Sequence, residues 1–235
     1  MNSGNYNLSW LKGKIIAIDG PAGSGKSTTA KLLASRLGYT YLDTGAMYRA
    51  LTYYALKHDV SPSDSTALGK LAEKLPITFK TEGDINRVFI AGQEVTDEIR
   101  TPEVTRQVSE VSAHKDIRKA MVRQQIEMGR AGSIVAEGRD TTTVVFTHAD
   151  LKIYLDASVE ERARRRLIDL VRMGESTNLE ELKKEIQRRD DYDSNRKHSP
   201  LTRAQGVIMV DTTDMTIEGQ VKWILSLIFD RFHGS

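Results

Sequence analysis

The sequence contains no cysteine. That excludes disulfides, zinc–thiolate sites and cysteine nucleophiles, and it fits a reducing compartment. No apolar run approaches the roughly 18 residues of a membrane-spanning helix. The first dozen residues, MNSGNYNLSWLK, lack the basic and apolar regions of a secretory signal. There is no internal repeat and no low-complexity segment. A strong charge of either sign is missing too: the formal net charge is +2, so no global basic field argues for nucleic acid. What remains is ordinary for a soluble globular protein, with 39% hydrophobic and 28% charged residues. A chain of 235 residues can form one large α/β domain with an insertion, or two small domains.

The most informative stretch is KIIAIDGPAGSGKST, Lys14 to Thr28. Ile15, Ile16, Ala17 and Ile18 form a short apolar run that suits a buried parallel strand. Gly20, Pro21, Ala22, Gly23, Ser24, Gly25, Lys26 and Ser27 then match G-x-x-x-x-G-K-[ST] in full, and a helical pattern begins at once, from Ser27 to Leu37. Strand, glycine loop and helix therefore come in the order that this motif requires. The glycines leave room for backbone N–H groups to turn inward on an anion, and the helix N-terminus adds partial positive charge. Lys26 can reach the outer phosphates, and the Ser27 hydroxyl can ligate Mg²⁺. Residues 1–13 read as a flexible polar extension, with Trp10 and Leu11 docking near the first strand.

Along the rest of the chain, strands alternate with helices, which predicts a parallel sheet of five strands with right-handed crossovers. Tyr39 to Leu42 is the second strand, and Asp43 or Thr44 caps the helix to Lys57. Tyr48 and Arg49 fall in its first turns, near a strand's carboxyl end, where open sheets bind ligands. From position alone, Arg49 suits a ligand contact and a solvated surface equally. After a short helix at about 65–74 the period changes. Pro76–Phe79, Arg87–Ile90 and Glu94–Val95 alternate, with turns at 81–84 and 91–93, and predict a small antiparallel meander. Residues 62–100 thus read as an insertion in a core made of 14–61 and 101–235.

A long helical pattern starts at Thr101-Pro102-Glu103 and runs to about Gly129. Ser109 and Arg118 lie nine residues apart, on opposite faces of a straight helix. If both face one ligand, the helix breaks between them, at His114-Lys115-Asp116, with Asp116 as the new N-cap. Strands follow at 133–136, 151–155 and 207–210. The last helix, at about 216–231, carries an apolar stripe of Ile217, Val221, Ile224 (or Leu225) and Ile228.

Arginine is concentrated in two places. Arg162, Arg165 and Arg166 share one face of the helix at 158–172. Arg189, Asp193 and Arg196 share a face if the next helix, opening at Asn178, continues that far. By themselves such runs suit a solvated, salt-bridged helix pair. Beside a triphosphate-binding motif they suit a lid, because moving a phosphoryl group between two anions needs several cations and the exclusion of water. Residues 158–196 are the expected lid.

IDGPAGSGKST, LDTGAMYRA, EIRTPEVTRQVSEVSAHKDIR, AEGRDTTTVVF, KIYLDASVEERARRR and RRDDYDSNR occur in that order. Together they resemble the bacterial cytidylate kinases over nearly the whole chain. The glycine loop is shared by many unrelated NTPases; DTGAMYR with EGRD and RDDxDxNR is far more specific. The resemblance implies the P-loop NTPase fold, a monophosphate-binding insertion and a helical lid. It implies a monomeric cytoplasmic enzyme that uses ATP and Mg²⁺ to phosphorylate CMP or dCMP. It assigns Gly20 to Thr28, the latter included, to the ATP phosphates. Thr44, Tyr48 and Arg49 fall at the monophosphate, with Arg49 on its phosphate. Ser109, Arg118 and Asp140 surround the cytosine. Arg139 and Arg189 serve phosphate, Asp193 the sugar hydroxyls, and Arg196 phosphate near the transfer point. Arg162 and Arg166 sit in the lid over ATP. One departure concerns the loop after Asp140, where relatives usually carry an apolar residue and Gly. Thr141-Thr142 stand there instead, and a β-branched residue resists positive φ, so a different loop shape is expected. The break near His114 also lacks the proline common in relatives.

The expected chemistry is in-line transfer to an acceptor phosphate that is already anionic, so no general base is required. Two other classes fit less well. A regulatory NTP switch is disfavoured by the missing guanine-reading N-K-x-D and by the long arginine-bearing lid. A nucleic-acid module is disfavoured by the near-neutral charge and by Asp190, Asp191 and Asp193 among the arginines. A same-fold kinase for another anionic acceptor remains open.

Overall fold

The computed structural model describes residues 9–82, 85–172, 174 and 176–233. Five parallel strands form the central sheet: β1 (Ile15–Asp19), β2 (Thr40–Asp43), β6 (Ile134–Gly138), β7 (Leu151–Asp156) and β8 (Ile208–Asp211), in the order β2-β6-β1-β7-β8. The smaller sheet is antiparallel and holds β3 (Ile77–Glu82), β4 (Ile85–Ile90) and β5 (Gln93–Glu94). The turn expected at 81–84 falls partly on residues 83–84, outside the described residues.

Both faces of the central sheet are covered, as its short apolar strands require. Ile16 and Ile18 pack with Leu33 of α1 (Lys26–Leu37) and with Ile224 and Ile228 of α8 (Ile217–Phe232). Ile224, rather than the half-buried Leu225, completes the predicted stripe. Ala17 faces the other layer, which contains Met47 and Leu51 of α2 (Thr44–Lys57), Val108 of α4 (Pro102–Ala113), and Ile117 and Met121 of α5 (Lys115–Met128). That layer is continuous with Leu68 of α3 (Ser65–Lys74) and with Ile77 and Val88 of the meander. Each such fully buried aliphatic side chain contributes about 1.5–3 kcal/mol.

The predicted break between α4 and α5 is present. His114 adopts φ −69°, ψ 130°, an extended conformation that ends one helix and opens the next. The cap position belongs to His114 and not to Asp116, which lies inside the first turn of α5. Asp116 had the better capping chemistry, but the extended residue sits two positions earlier. Helix α6 (Val159–Arg172) and α7 (Leu179–Asn195) pack on each other through Ala163, Leu170, Leu182 and Ile186. Helix α7 continues to Asn195, so Arg189 and Asp193 do share a face, but Arg196, expected on it too, is extended at φ −63°, ψ 143° just past the helix end. Leu11 is buried beside Ile16 and Ile18, and Trp10 meets Phe229 edge to face at 6.1 Å. The docking expected of Trp10 and Leu11 is therefore seen; of the flexible extension expected at 1–13, Ser9–Leu11 instead form a 3₁₀ turn, and 1–8 lie outside the described residues.

Strand register brings several carboxylates to one edge. Asp19 pairs with Gly138, Asp43 with Glu137, and Asp156 with Asp211, all at the carboxyl ends.

Candidate active site

The glycine loop joins β1 to α1. A side chain on Gly20 would run into the Leu155 carbonyl oxygen, 2.0 Å from where its Cβ would stand. Gly25 has φ 87° and forms the cap of α1 without a side chain, so the N–H groups of the first turn stay open to a ligand. Lys26 Nζ is buried, donates to the Pro21 carbonyl at 3.2 Å, and lies 3.9 Å from Glu137 Oε2. Burial, with repulsion from Arg139, pushes the Lys26 ammonium down to about 8. Ser27 Oγ donates to Glu137 Oε1 at 2.6 Å, and the Tyr41 hydroxyl donates to the same oxygen at 3.2 Å. Burial and the nearby Asp43 raise the Glu137 carboxyl above its ordinary range.

Facing this loop is a set of largely buried cations. Arg49 of α2 donates to the Thr105 hydroxyl at 2.9 Å. Burial, then repulsion from Arg189, pushes its guanidinium down to about 10. Arg189 of α7 is lowered by burial and by Arg139, and its Nε is buried with no hydrogen-bond partner among the described residues. Lys26 itself is lowered by both Arg139 and Arg189. Lys26, Arg49 and Arg189 are thus each disfavoured by burial and by neighbouring cations, a state that a polyanion relieves, whereas Arg139, against burial, is held above its ordinary range by Asp193, Glu137 and Asp190. Asp193, buried, accepts from Arg139 Nε at 2.9 Å and lies 3.7 Å from Arg196 Nη1.

Beside the cations lies a second, enclosed group. Arg118 of α5 is buried, donates to the Ser112 carbonyl at 3.0 Å, and pairs through Nη2 with Asp140 Oδ2. Its guanidinium sits over the Tyr48 ring, 5.2 Å from the centroid. Against burial, Tyr48 and Asp140 hold Arg118 above its ordinary range. Arg196 Nη2 stands 4.0 Å from Asp140 Oδ1 and is buried with no hydrogen-bond partner among the described residues.

The structure thus brings together Lys26, Ser27, Arg49, Arg139, Arg189, Asp193 and Arg196, with Tyr48, Arg118 and Asp140 alongside. Other expected residues lie at the edge of this group or are engaged in holding the fold. Thr44 is buried and donates to the Glu137 carbonyl at 2.7 Å, tying α2 to β6. Thr28 and Arg166 are exposed. Ser109 is half-buried, and its carbonyl accepts the Ser112 hydroxyl at 3.1 Å. Arg162 is buried, with its donors on the Ala157 carbonyl, the Ala22 carbonyl and Asp190. It acts as a strut between the glycine loop and α7. Arg165, one position from Arg166, makes the closer approach: it donates to the Gly23 carbonyl at 3.4 Å and to Thr212.

Sequence reasoning also missed Glu137 and Asp19. The register of AEGRD at the end of an apolar strand is the signal that could have found Glu137. Among the described residues, no group of three or more His, Cys, Asp or Glu could hold a metal alone. Magnesium at a triphosphate needs only one or two protein oxygens, the rest coming from phosphate and water. The adjacent Ser27 hydroxyl and Glu137 carboxylate fit that donor set.

The loop after Asp140 also takes a definite shape. Thr141–Val145 form a single π-type turn, and no residue in it has positive φ. The β-branched pair is accommodated without the conformation that glycine would favour.

Comparison with known proteins agrees along most of the chain. The sequence profile described as "Cytidylate kinase" matches residues 16–230. A curated cytidylate kinase of Halalkalibacterium halodurans is 46% identical over 221 residues, covering 94% of this chain and 100% of that protein. One from Listeria welshimeri is 50% identical over 212 residues, covering 90% and 94%. Among solved structures, an uncharacterized protein from Eubacterium ventriosum matches 93% of this chain and 99% of its own, with TM-score 0.51 at 13% identity, a likeness of fold.

Proposed function

Because this chain belongs to the cytidylate kinase family, we propose that it transfers the γ-phosphate of ATP to CMP or dCMP, giving ADP and the nucleoside diphosphate. The observation that carries this reading is the convergence of Lys26, Arg49, Arg139 and Arg189 beside an open helix N-terminus, with Lys26, Arg49 and Arg189 each lowered by burial and by neighbouring cations. Such a cluster is costly without phosphate and favourable with it.

In this reading the glycine loop, Gly20 to Thr28, holds the ATP phosphates, and Lys26 neutralises the group in transit. Arg49, Arg139, Arg189 and Arg196 surround the acceptor phosphate and the transfer point, so charge that spreads in the transition state meets fixed cations. Tyr48, Arg118 and Asp140 wall the acceptor base, with Ser109 one helical turn before Ser112, whose carbonyl accepts from Arg118, and Asp193 faces the sugar while orienting Arg139. No side chain serves as a base, since the acceptor is anionic at neutral pH. Ser27 and Glu137 are the residues that would hold Mg²⁺, which when bound screens phosphate charge and aligns the triphosphate. Residues 62–100 carry the monophosphate side, and 158–196 close as a lid with Arg166 at its face and Arg162 as its strut. The partners are small nucleotides, with no nucleic acid and no membrane; among the described residues no helix is long and apolar enough to cross a membrane. We take the enzyme as a cytoplasmic monomer.

ADP release from ATP, measured with CMP, dCMP, UMP, AMP, GMP or no acceptor, tests this. CMP and dCMP should far exceed the others. Equal release without an acceptor would make the protein a hydrolase, and a preference for another acceptor would reassign the base site.

A further inference from the structure

Asp19 ends β1 and is fully buried, yet it belongs to none of the groups assigned to substrate above. Its carboxylate is wholly occupied by the loop after Asp140. Oδ1 accepts the Thr141 N–H at 2.8 Å; Oδ2 accepts the Thr142 N–H at 2.7 Å and the Thr142 hydroxyl at 2.6 Å. These residues are more than a hundred positions apart in sequence. The turn they hold begins at Asp140, whose backbone carbonyl accepts from Val144 at 2.8 Å and from Val145 at 3.3 Å.

The first N–H groups of a helical turn have no partner inside the turn, and a side chain at the cap position normally satisfies them. Asp140 occupies that position and has suitable chemistry, but its side chain makes no cap bond. It reaches the other way, to Arg118 and toward Arg196. Asp19 caps the turn from the neighbouring strand. The two carboxylates divide the work: one satisfies the backbone, and the other stays free for cations and ligand.

We propose that Asp19 is a positioning residue for base recognition, holding the 141–145 turn so that the Asp140 carboxylate faces the acceptor pocket. The proposal rests on the reading that Asp140 touches the acceptor base. Without the Asp19 carboxylate, the Thr141 and Thr142 N–H groups have Asp140 as their nearest alternative acceptor in sequence. A swing of Asp140 onto its own turn leaves Arg118 buried without its anion and the base edge unread.

The test compares Asp19→Asn, Asp140→Ala and the double variant in steady-state kinetics with CMP, UMP and ATP varied in turn. Asp19→Asn keeps the shape but turns an amide donor toward donors. It should raise KM for CMP by about 10-fold or more, the scale of cost for a misplaced contact group. The preference for CMP over UMP should narrow in step, and KM for ATP should stay within about twofold. The double variant should discriminate no worse than Asp140→Ala, because the two act on one contact. If Asp140→Ala narrows the preference and Asp19→Asn does not, the positioning role fails while the base reading stands. If Asp140→Ala itself leaves the preference intact, the base reading fails and takes the proposal with it. A rise in KM for ATP instead of CMP would show that Asp19 acts through the adjoining glycine loop, which also overturns the proposal. Should Asp19→Asn not fold, Thr142→Val removes only the hydroxyl bond. It should shift CMP preference the same way by less, and Thr142→Ser should restore it. A folded Thr142→Val with unchanged preference would count against the role.

Discussion

Replacing Lys26 by methionine should separate activity from stability. Lys26 is buried, and burial with repulsion from Arg139 lowers it from 10.5 to about 8. At about 1.4 kcal/mol per pH unit, holding that ammonium charged costs the nucleotide-free protein about 3 kcal/mol. The pull of Glu137 at 3.9 Å is already inside that figure; the variant also gives up the hydrogen bond to the Pro21 carbonyl and leaves buried Glu137 without its neighbouring cation. Losing those contacts leaves a net gain of about 1–2 kcal/mol for an apolar side chain of similar length. For a chain of this size that is a rise in Tm of about 3–8 °C. Turnover should fall at least about 10²-fold, the usual cost of one preorganised charge-stabilising donor. The pH dependence follows from the sign of the shift. Unfolded, Lys26 keeps its proton to 10.5, while folded it loses it near 8. The penalty is therefore full below pH 8 and disappears as pH climbs toward 10.5, so the stability gain of Lys26→Met should be largest at pH 7 and fade by pH 10. Thermal unfolding across that range, with and without nucleotide, alongside steady-state turnover, is the assay. A Tm below wild type at pH 7 would show that Lys26 is held by favourable contacts and is not kept charged for an incoming phosphate. Unchanged turnover would remove Lys26 from the mechanism.

Three further outcomes are expected. In the wild type, kcat/KM for ATP should decline as pH rises through about 8, where free Lys26 loses its proton; Lys26→Arg should abolish that decline, and a decline that persists belongs to another group. Glu137→Gln should raise the Mg²⁺ concentration for half-maximal activity by about 10-fold or more, the scale of losing a residue that supports a metal; an unmoved Mg²⁺ dependence would exclude Glu137 from that role. Asp190→Asn breaks the 2.6 Å pair with buried Arg162 and should lower stability by about 3 kcal/mol in urea unfolding; an unshifted midpoint would show that Arg162 is already satisfied by the Ala157 and Ala22 carbonyls.

What could be read in advance depended on how far apart in sequence the partners stand. The glycine loop is contiguous, and each of its demands, strand before and helix after, lies within a few residues. The break at His114 was legible because Ser109 and Arg118 cannot share a face across nine residues of straight helix. Its cap was misassigned because capping chemistry favoured Asp116, whereas the backbone turns at His114. Asp19 and Glu137 were invisible for a different reason. Each reads as one more acidic residue at a strand end, and its meaning comes from a partner more than a hundred positions away, Thr142 or Ser27. Register across β1, β2 and β6 creates those contacts, and no local pattern encodes it. Arg162 and Arg166 show the limit of spacing arguments. Helical period puts both on one face, yet Arg162 is buried against backbone carbonyls while Arg166 is exposed, and the unselected Arg165 reaches the glycine loop.

The central claim is that one ring of cations, seated on a backbone anion cradle, holds two nucleotides end to end. A bisubstrate analogue joining adenosine to cytidine through a pentaphosphate probes it most directly, by calorimetric titration and by inhibition kinetics. The account predicts one analogue bound per chain, competition with both ATP and CMP, and much weaker binding in Arg189→Ala. An analogue that competes with ATP alone, while CMP still binds beside it, would contradict the account.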